Sequence, residues 1–175
     1  MSDQYMPGPA SGATIDKSGN GDKWALILVR ELRHSPEKVW KAITDPDHLR
    51  HWAPYETDAS LGAVGTVQLT WVGANGPQET TVTRADAPKV LEYNDTRWEL
   101  EAVGSGTKLT LWTNIDKRYI AMGAAGWHIS LDVLDHHLAG KVIPRIAGPE
   151  AMRFEGWQRL HVEYAKQFGV ELPKW

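Results

Sequence analysis

Apolar residues at intervals of three and four predict one long helix over residues 119–139, which ends at Gly140. One apolar face of this helix consists of Ile120, Ala124, Trp127, Leu131, Leu134 and Leu138. A second apolar stripe, on another side of the helix, consists of Met122, Gly126, Ile129 and Val133. Because two sides of the helix are apolar, we expect two other layers of structure to cover it.

A period of two, which is typical of β-strands, runs through residues 57–115. Turn residues interrupt it at short intervals, so we expect successive antiparallel hairpins with one apolar face. An earlier strand is predicted over residues 24–33, followed by two short helices that begin after Ser35 and Asp45. Each of these two residues is a favourable N-cap and is followed by proline at the first helical position. The pattern predicts an α+β fold in which a curved antiparallel sheet wraps around the long helix.

A last helix is predicted to begin at Pro149 and to end at Gly169. Its apolar face consists of Phe154, Trp157, His161, Tyr164 and Phe168. This face needs a partner, either the second stripe of the long helix or a second subunit, so a homodimer remains an alternative. The chain is thus divided into a flexible N-terminal tail (1–22), a main domain (23–140) and a helical extension packed on that domain (141–175).

Composition and charge narrow the classes of function. The 175-residue chain has a net charge of -3 and no cluster of lysine and arginine, so we do not expect it to bind nucleic acid. It has no apolar run of transmembrane length and no signal-peptide core, so we expect no membrane association and a cytoplasmic location. The absence of cysteine excludes disulfides, thiol catalysis and thiolate metal sites.

Histidines on the long helix are candidates for metal binding. His128, Asp132 and His136 are spaced by four, so two neighbours could share an ion, but the outer two lie about 12 Å apart along the axis. No third ligand is evident in the sequence. We expect these side chains, together with Asp135, to form the solvent-facing side of the helix, and we expect no metal site and no cofactor.

Three segments, in this order, resemble one protein family. Residues 35–52 read SPEKVWKAITDPDHLRHW, residues 106–111 read GTKLTL, and residues 126–140 read GWHISLDVLDHHLAG. In combination they are similar to the START-like, or SRPBCC, superfamily, in its bacterial branch related to the heat-shock protein 90 ATPase activator. The resemblance covers residues 24–140 and implies the helix-grip fold.

The resemblance also implies a cavity between the sheet and the long helix that often holds a small apolar molecule. It does not imply one activity, since the superfamily includes polyketide cyclases and carriers of sterols, lipids or plant hormones. We expect no chaperone activation, because the further domain that the eukaryotic activator uses for it has no counterpart in this sequence. At two places the residues differ from those that are common in this bacterial branch. Residues 62–65 read GAVG where a Gly-Gly pair is common, and Trp112 and Thr113 stand where a histidine is common.

Aromatic and aliphatic side chains form the predicted ligand site. The chain has nine tryptophans, which either fill the core or line a pocket. Strand parity and helix face assign to the pocket Leu69, Trp71, Tyr93, Trp98, Leu100, Leu109, Leu111, Thr113, Trp127, Leu131 and Leu134. The resemblance adds Trp52, which ends the short helix that usually closes the mouth of the cavity in this fold. Tyr93 and Thr113 would orient the ligand through their hydroxyls. The alternative is that the tryptophans fill this space and leave no pocket.

Binding of a small apolar or aromatic molecule, without catalysis, is the function that these residues favour. Tyr93 is the best inward candidate for an acid or base, since Glu92, Arg97 and Glu99 point outward by parity. There is no Gly-x-Ser-x-Gly motif and no nucleophile paired with a base. Two alternatives remain. One is a polyketide cyclase-like enzyme with Tyr93 as its catalytic residue, and the other is a protein-interaction or chaperone-associated module.

Overall fold

An eight-stranded antiparallel sheet is the largest element of the computed structural model, which describes residues 5–18 and 21–173. The strands are β1 (Ala13–Asp16), β2 (Lys23–Leu32), β3 (Tyr55–Thr57), β4 (Gly65–Trp71), β5 (Gln78–Asp86), β6 (Val90–Tyr93), β7 (Thr96–Val103) and β8 (Gly106–Asp116). Their order in the sheet is β1-β2-β8-β7-β6-β5-β4-β3. Except for β2 and β8, every pair of neighbours in the sheet is also consecutive along the chain. The successive hairpins predicted from the sequence are therefore confirmed.

The helices lie between β2 and β3 and after the sheet. They are α1 (Pro36–Thr44), α2 (Pro46–Trp52), α3 (Ile120–Leu138), α4 (Gly148–Met152) and α5 (Glu155–Phe168), and a 3-10 turn (Lys117–Tyr119) leads into α3. Both predicted N-caps are confirmed, because Ser35 Oγ accepts a hydrogen bond from an N–H of α1 and Asp45 Oδ1 accepts one from α2. In the part of the chain that the structure describes, no helix is long and apolar enough to cross a membrane.

Two layers cover α3, as its two apolar stripes predict. The six side chains of the first stripe are buried, and this face packs on the sheet through β2 and β8. α5 packs along another side of α3, and Ile129 and Val133 of the second stripe are buried. The curved sheet around one long helix is the helix-grip fold. Because α5 of the same chain packs along α3 on the side of the later part of this stripe, the homodimer stays a prediction without an assigned face.

The predicted last helix is wrong in one respect, since it consists of two helices. α4 ends at Met152 and α5 begins at Glu155. Between them the backbone turns, with the N–H of Phe154 bonded to the carbonyl of Ala151 at 3.0 Å. The turn allows α5 to lie along α3 while α4 packs against the end of the β4–β5 hairpin, where a Cβ on Gly148 would lie 2.6 Å from the Val72 carbonyl oxygen.

Residues 5–16 are docked on the domain, which differs from the expected flexible tail. β1 pairs with β2 along its whole length. On the other side, Arg159 Nη2 donates to the Gly8 carbonyl at 3.0 Å, and Glu163 Oε1 accepts from the Ala10 N–H at 2.8 Å. These contacts use backbone groups of the segment, so they leave no periodic pattern of side chains in the sequence.

The division of the chain at residues 22 and 140 stays a prediction. Of the predicted tail, residues 1–4, 19 and 20 lie outside the described residues, as do residues 174 and 175 of the predicted extension. Parts of both segments pack on the rest of the chain, since residues 8–16 contact β2 and α5, and α5 contacts α3.

The glycines Gly12 and Gly21 test this docking. Both have positive φ, +72° and +61°, but a Cβ on Gly12 would lie 2.8 Å from the Val29 carbonyl oxygen, whereas no atom of the described residues lies within 4 Å of a Cβ on Gly21. Alanine should impose the backbone penalty at both positions and a steric conflict at Gly12 only. We expect Gly12→Ala to lower the free energy of unfolding in urea by about 1–3 kcal/mol more than Gly21→Ala. Equal losses would contradict the docked position of the segment.

Candidate functional site

Five aromatic side chains fill much of the space between the sheet and α3. This aromatic cluster consists of Trp52, Tyr55, Tyr93, Trp98 and Trp127, and none of them is more than 7% exposed. The ring centroids lie 6.1 Å apart for Trp52 and Trp98, and 5.6 Å apart for Trp98 and Trp127, in edge-to-face contact. Edge-to-face contacts of this kind are favourable for aromatic rings. The protein's own side chains therefore occupy the centre of the expected ligand site.

Hydrogen bonds connect the polar atoms of the aromatic cluster. The hydroxyl oxygens of Tyr55 and Tyr93 are 2.5 Å apart, and the indole N–H of Trp98 donates to the Tyr93 oxygen at 3.0 Å. Burial raises the pKa of Tyr93 to about 12, and burial together with the neighbouring Tyr93 raises the pKa of Tyr55 well above its ordinary value. Near neutral pH Tyr93 is therefore un-ionised and has no basic form that could take a proton from a ligand.

An open apolar cleft of about 350 Å³ lies beside the aromatic cluster. It runs between the N-terminal half of α3 and the segment that contains α4. The lining residues are Pro54, Trp71, Ile115, Tyr119, Met122, Gly123, Gly126, Trp127, Ser130, Ile146, Ala147, Gly148, Ala151, Met152 and Trp157. None of these side chains is charged, and the polar groups are the Ser130 and Tyr119 hydroxyls and three indole N–H groups. Such a lining suits an uncharged apolar molecule.

Two of the twelve predicted pocket residues, Trp71 and Trp127, line this cleft. Nine others are buried in the core and do not line it, namely Trp52, Leu69, Tyr93, Trp98, Leu100, Leu109, Leu111, Leu131 and Leu134. Thr113 is half-buried, and its hydroxyl oxygen is 3.3 Å from that of Thr96. Most of the side chains that strand parity places inward are buried, but they mostly pack against each other.

Trp71 is less buried than its strand parity suggests, with 41% of its surface exposed. It is the last residue of β4, and it pairs with Tyr55 of the three-residue strand β3 at the edge of the sheet. Its ring contacts the Tyr55 ring edge-on, with the centroids 5.1 Å apart. Trp71 therefore forms a wall between the aromatic cluster and the open cleft.

Sequence reasoning missed most residues of the cleft, above all Trp157 of α5 and the wall formed by residues 146–152. A partial signal was present, because Met122 and Gly126 belong to the second apolar stripe of α3. α5 covers the later part of that stripe, and the earlier part stays open. The course of residues 141–147, which have no regular secondary structure, determines where the wall lies, and no sequence pattern specifies it.

The wall of the cleft is joined to the sheet at two places. A Cβ on Gly73 would lie 2.5 Å from Pro149 Cδ, so the start of α4 packs closely on the turn after β4. The guanidinium of Arg145 donates from Nη2 to Glu56 Oε2 at 3.0 Å. These contacts hold the wall opposite α3 and keep the cleft between them.

His128 is buried, so the prediction that it faces solvent is wrong. It is 4% exposed, its Nδ1 lies 2.6 Å from the Tyr164 hydroxyl, and its Nε2 lies 3.6 Å from Asp132 Oδ2. The Tyr5 hydroxyl donates to the same carboxylate. Because α5 and the N-terminal segment cover this side of α3, burial lowers the pKa of His128 to about 4.

The other histidines of α3 lie far from the cleft. His48 Nδ1 is 2.9 Å from His137 Nε2 near the C-terminal end of α3, and His51 stacks on His137 with ring centroids 5.3 Å apart. His136 contacts the Tyr5 ring. Within residues 5–18 and 21–173, no group of three or more His, Asp or Glu side chains is arranged to hold a metal ion.

Comparison with known proteins shows a family and a fold. A family model described as Activator of Hsp90 ATPase homolog 1-like protein matches residues 33–139, more than half of the chain. A conserved protein of unknown function from Enterococcus faecalis has a similar structure, with a TM-score of 0.68 at 18% identity over 89% of each chain. No match was found among curated proteins.

Two further solved structures are similar. CalU16 from Micromonospora echinospora has a TM-score of 0.62 at 20% identity, over 88% of this chain and 95% of its own. DynU16, a protein of the dynemicin biosynthetic locus, has a TM-score of 0.58 at 18% identity, over 69% of this chain and 49% of its own. At these identities the likeness shows the fold alone, and it confirms the fold predicted from the sequence.

Burial of neutral His128 makes a pH-dependent contribution to stability. Its folded-state pKa of about 4 lies below the ordinary value of 6.5, so between these values the unfolded chain binds a proton that the folded chain does not. The free energy of unfolding should fall as the pH is lowered through this window, by up to about 1.4 kcal/mol per pH unit from this group. His128→Gln does not titrate and should show a shallower fall in urea denaturation. Parallel pH profiles would contradict a buried neutral His128.

Proposed function

The chain belongs to the Activator of Hsp90 ATPase homolog 1-like family, and from this premise we propose that it binds a small uncharged apolar or aromatic molecule, without catalysis. The proposed site is the cleft between α3 and the segment that contains α4, at the edge of the aromatic cluster. This position differs from the cavity between the sheet and the long helix that the sequence suggested. The observation that carries the proposal is the open cleft of about 350 Å³ with no charged side chain in its lining.

The indoles supply most of the expected binding energy. Trp71, Trp127 and Trp157 line the cleft from β4, α3 and α5, so a flat ligand would contact rings on three sides. Trp127 and Trp157 are buried, and their positions are held by packing before a ligand arrives. Such preorganisation reduces the entropy that is lost on binding. The Ser130 hydroxyl is a further polar group that could orient the ligand.

An enzyme that acts on the same kind of molecule is the second candidate. It is supported by the fold shared with DynU16, a protein of a biosynthetic locus. Against it, the cleft lining contains no carboxylate, histidine or lysine, and the one candidate named from the sequence, Tyr93, is behind Tyr55 in the hydrogen-bonded cluster. A binding role therefore has more support than proton transfer. A protein-interaction module is third, because Ile129 and Val133 of the stripe proposed as its surface are buried and Met122 and Gly126 line the narrow cleft.

Substitution of Trp71 tests the location of the site. Trp71→Ala removes an exposed wall of the cleft, whereas Trp112→Ala removes a half-buried indole of β8 that packs beside Arg97 outside the cleft. We expect Trp71→Ala to weaken the binding of naphthalene, fluorene or dodecanol by roughly ten- to a hundred-fold in calorimetric titration, and Trp112→Ala to leave it unchanged. Absence of saturable binding to the wild type, or equal losses in the two variants, would contradict the proposal.

Tyr93→Phe separates binding from catalysis. Removal of this hydroxyl deprives the buried Trp98 N–H and Tyr55 hydroxyl of a partner, so we expect the free energy of unfolding to fall by about 1–3 kcal/mol. Affinity for the same compounds should change less than two-fold, because Tyr93 does not line the cleft. Turnover of an aromatic polyketide by the wild type, lost in a folded Tyr93→Phe variant, would favour the enzyme instead.

A further inference from the structure

Two glycines of α3 line the cleft, and packing explains only one of them. A Cβ on Gly123 would lie 2.5 Å from Ile115 Cδ1, so a side chain there conflicts with β8. A Cβ on Gly126 would meet nothing closer than Trp157 Nε1, at 4.0 Å. Glycine within a helix is less stable than alanine. At Gly126 this disadvantage has no packing reason, and its effect is to leave the backbone of α3 bare on the floor of the cleft.

Trp157 directs a hydrogen-bond donor toward this floor. It is 6% exposed, lines the cleft, and has its indole nitrogen nearest to the Cβ position of Gly126. The His161 ring packs against the indole with centroids 4.8 Å apart. The hydrogen bonds among the described residues use the indole N–H of Trp52 and of Trp98, but not that of Trp157. The Trp157 nitrogen is not among the buried side-chain atoms that lack a partner, so it is open to the cleft, where a ligand that carries an acceptor can bond to it.

The size of the cleft limits the shape of this ligand. A volume of about 350 Å³ is near the lower end of the roughly 300–1,000 Å³ range of ligand pockets. The walls are indoles and the floor is a helix backbone without a side chain, so a compact planar ring system makes better contact than a long flexible chain. Among the described residues, no charged side chain lines the cleft to balance a charged ligand.

We propose that Gly126 and Trp157 select the ligand as an uncharged planar ring system with a carbonyl oxygen at its edge. The ring lies over Gly126, and the carbonyl oxygen accepts a hydrogen bond from the Trp157 indole N–H. This inference rests on the proposed function and specifies the class of ligand for the same cleft.

Fluorenone and fluorene provide a matched pair of probes, since they share a planar tricyclic skeleton and differ by one carbonyl group. Calorimetric titration gives the ratio of their affinities, in which the contribution of the shared skeleton cancels. We expect Trp157→Phe to weaken both probes, because part of one indole wall is lost, and to reduce the preference for fluorenone over fluorene by about three- to ten-fold, because the N–H is lost as well. The fluorene measurement also shows whether the cleft remains formed in this variant.

Gly126 is tested by adding side chains to the floor. Gly126→Ala should raise the Tm by about 2–4 °C, because alanine favours the helix and has room. Gly126→Leu should fill the cleft and weaken both probes at least ten-fold, in a protein that still unfolds cooperatively. A lower Tm in Gly126→Ala, or wild-type affinity in Gly126→Leu, would overturn the role of Gly126.

The outcomes distinguish this inference from the proposed function. If the wild type binds both probes and Trp157→Phe leaves their ratio unchanged, or weakens both equally, the carbonyl contact is overturned and the binding site stands. If the wild type binds neither of these probes nor the other apolar compounds of the Trp71 experiment, the carbonyl contact and the proposed binding function are both overturned. A larger loss of affinity for fluorenone than for fluorene in Trp157→Phe supports the hydrogen bond from Trp157.

Discussion

The burial of α3 on two sides is the constraint on which the rest of the structure depends. Its first stripe requires the apolar face of the sheet, and its second stripe requires a separate cover, which α5 provides. α5 can lie along α3 only because the chain turns between α4 and α5. The cleft results from the same arrangement, since α4 and residues 146 and 147 stand away from the part of α3 around Gly123 and Gly126. One packing requirement thus produces both the closed core and the open site.

On the side of α3 that α5 and the N-terminal segment cover, burial changes the protonation of a histidine. The sequence places His128 and Asp132 on the solvent side of the helix, but in the structure the Tyr164 hydroxyl contacts His128 and the Tyr5 hydroxyl donates to Asp132, from two other parts of the chain. Burial then holds His128 in its neutral form over the physiological pH range. A group of residues that suggests a metal site in the sequence is, in the folded protein, a contact that fixes the N-terminal segment and α5 to α3.

The sequence predicts the fold well and the site only in part, for physical reasons. Helix limits follow from local signals such as Ser35, Asp45 and Gly140. The two faces of each strand follow from the alternation of apolar and polar residues along it. Whether an inward side chain meets a neighbour or an open space depends on contacts between distant segments. The sequence predicts that Trp98 and Trp127 both face inward, yet Trp98 is enclosed in the core and Trp127 also lines the cleft. The docking of residues 5–16 depends on backbone hydrogen bonds, which no side-chain pattern records.

The central claim is that a ligand binds at the cleft and leaves the aromatic cluster intact. Nitrogen–proton NMR resolves the indole N–H signals of the nine tryptophans separately and tests this claim directly. On titration with an uncharged planar aromatic compound, the account predicts saturable shifts of the Trp71, Trp127 and Trp157 signals. The signals of Trp52 and Trp98, whose N–H groups are bonded within the core, should move little. Large shifts of Trp52 and Trp98 with an unchanged Trp157 signal would place the ligand between the sheet and α3 and would contradict the account.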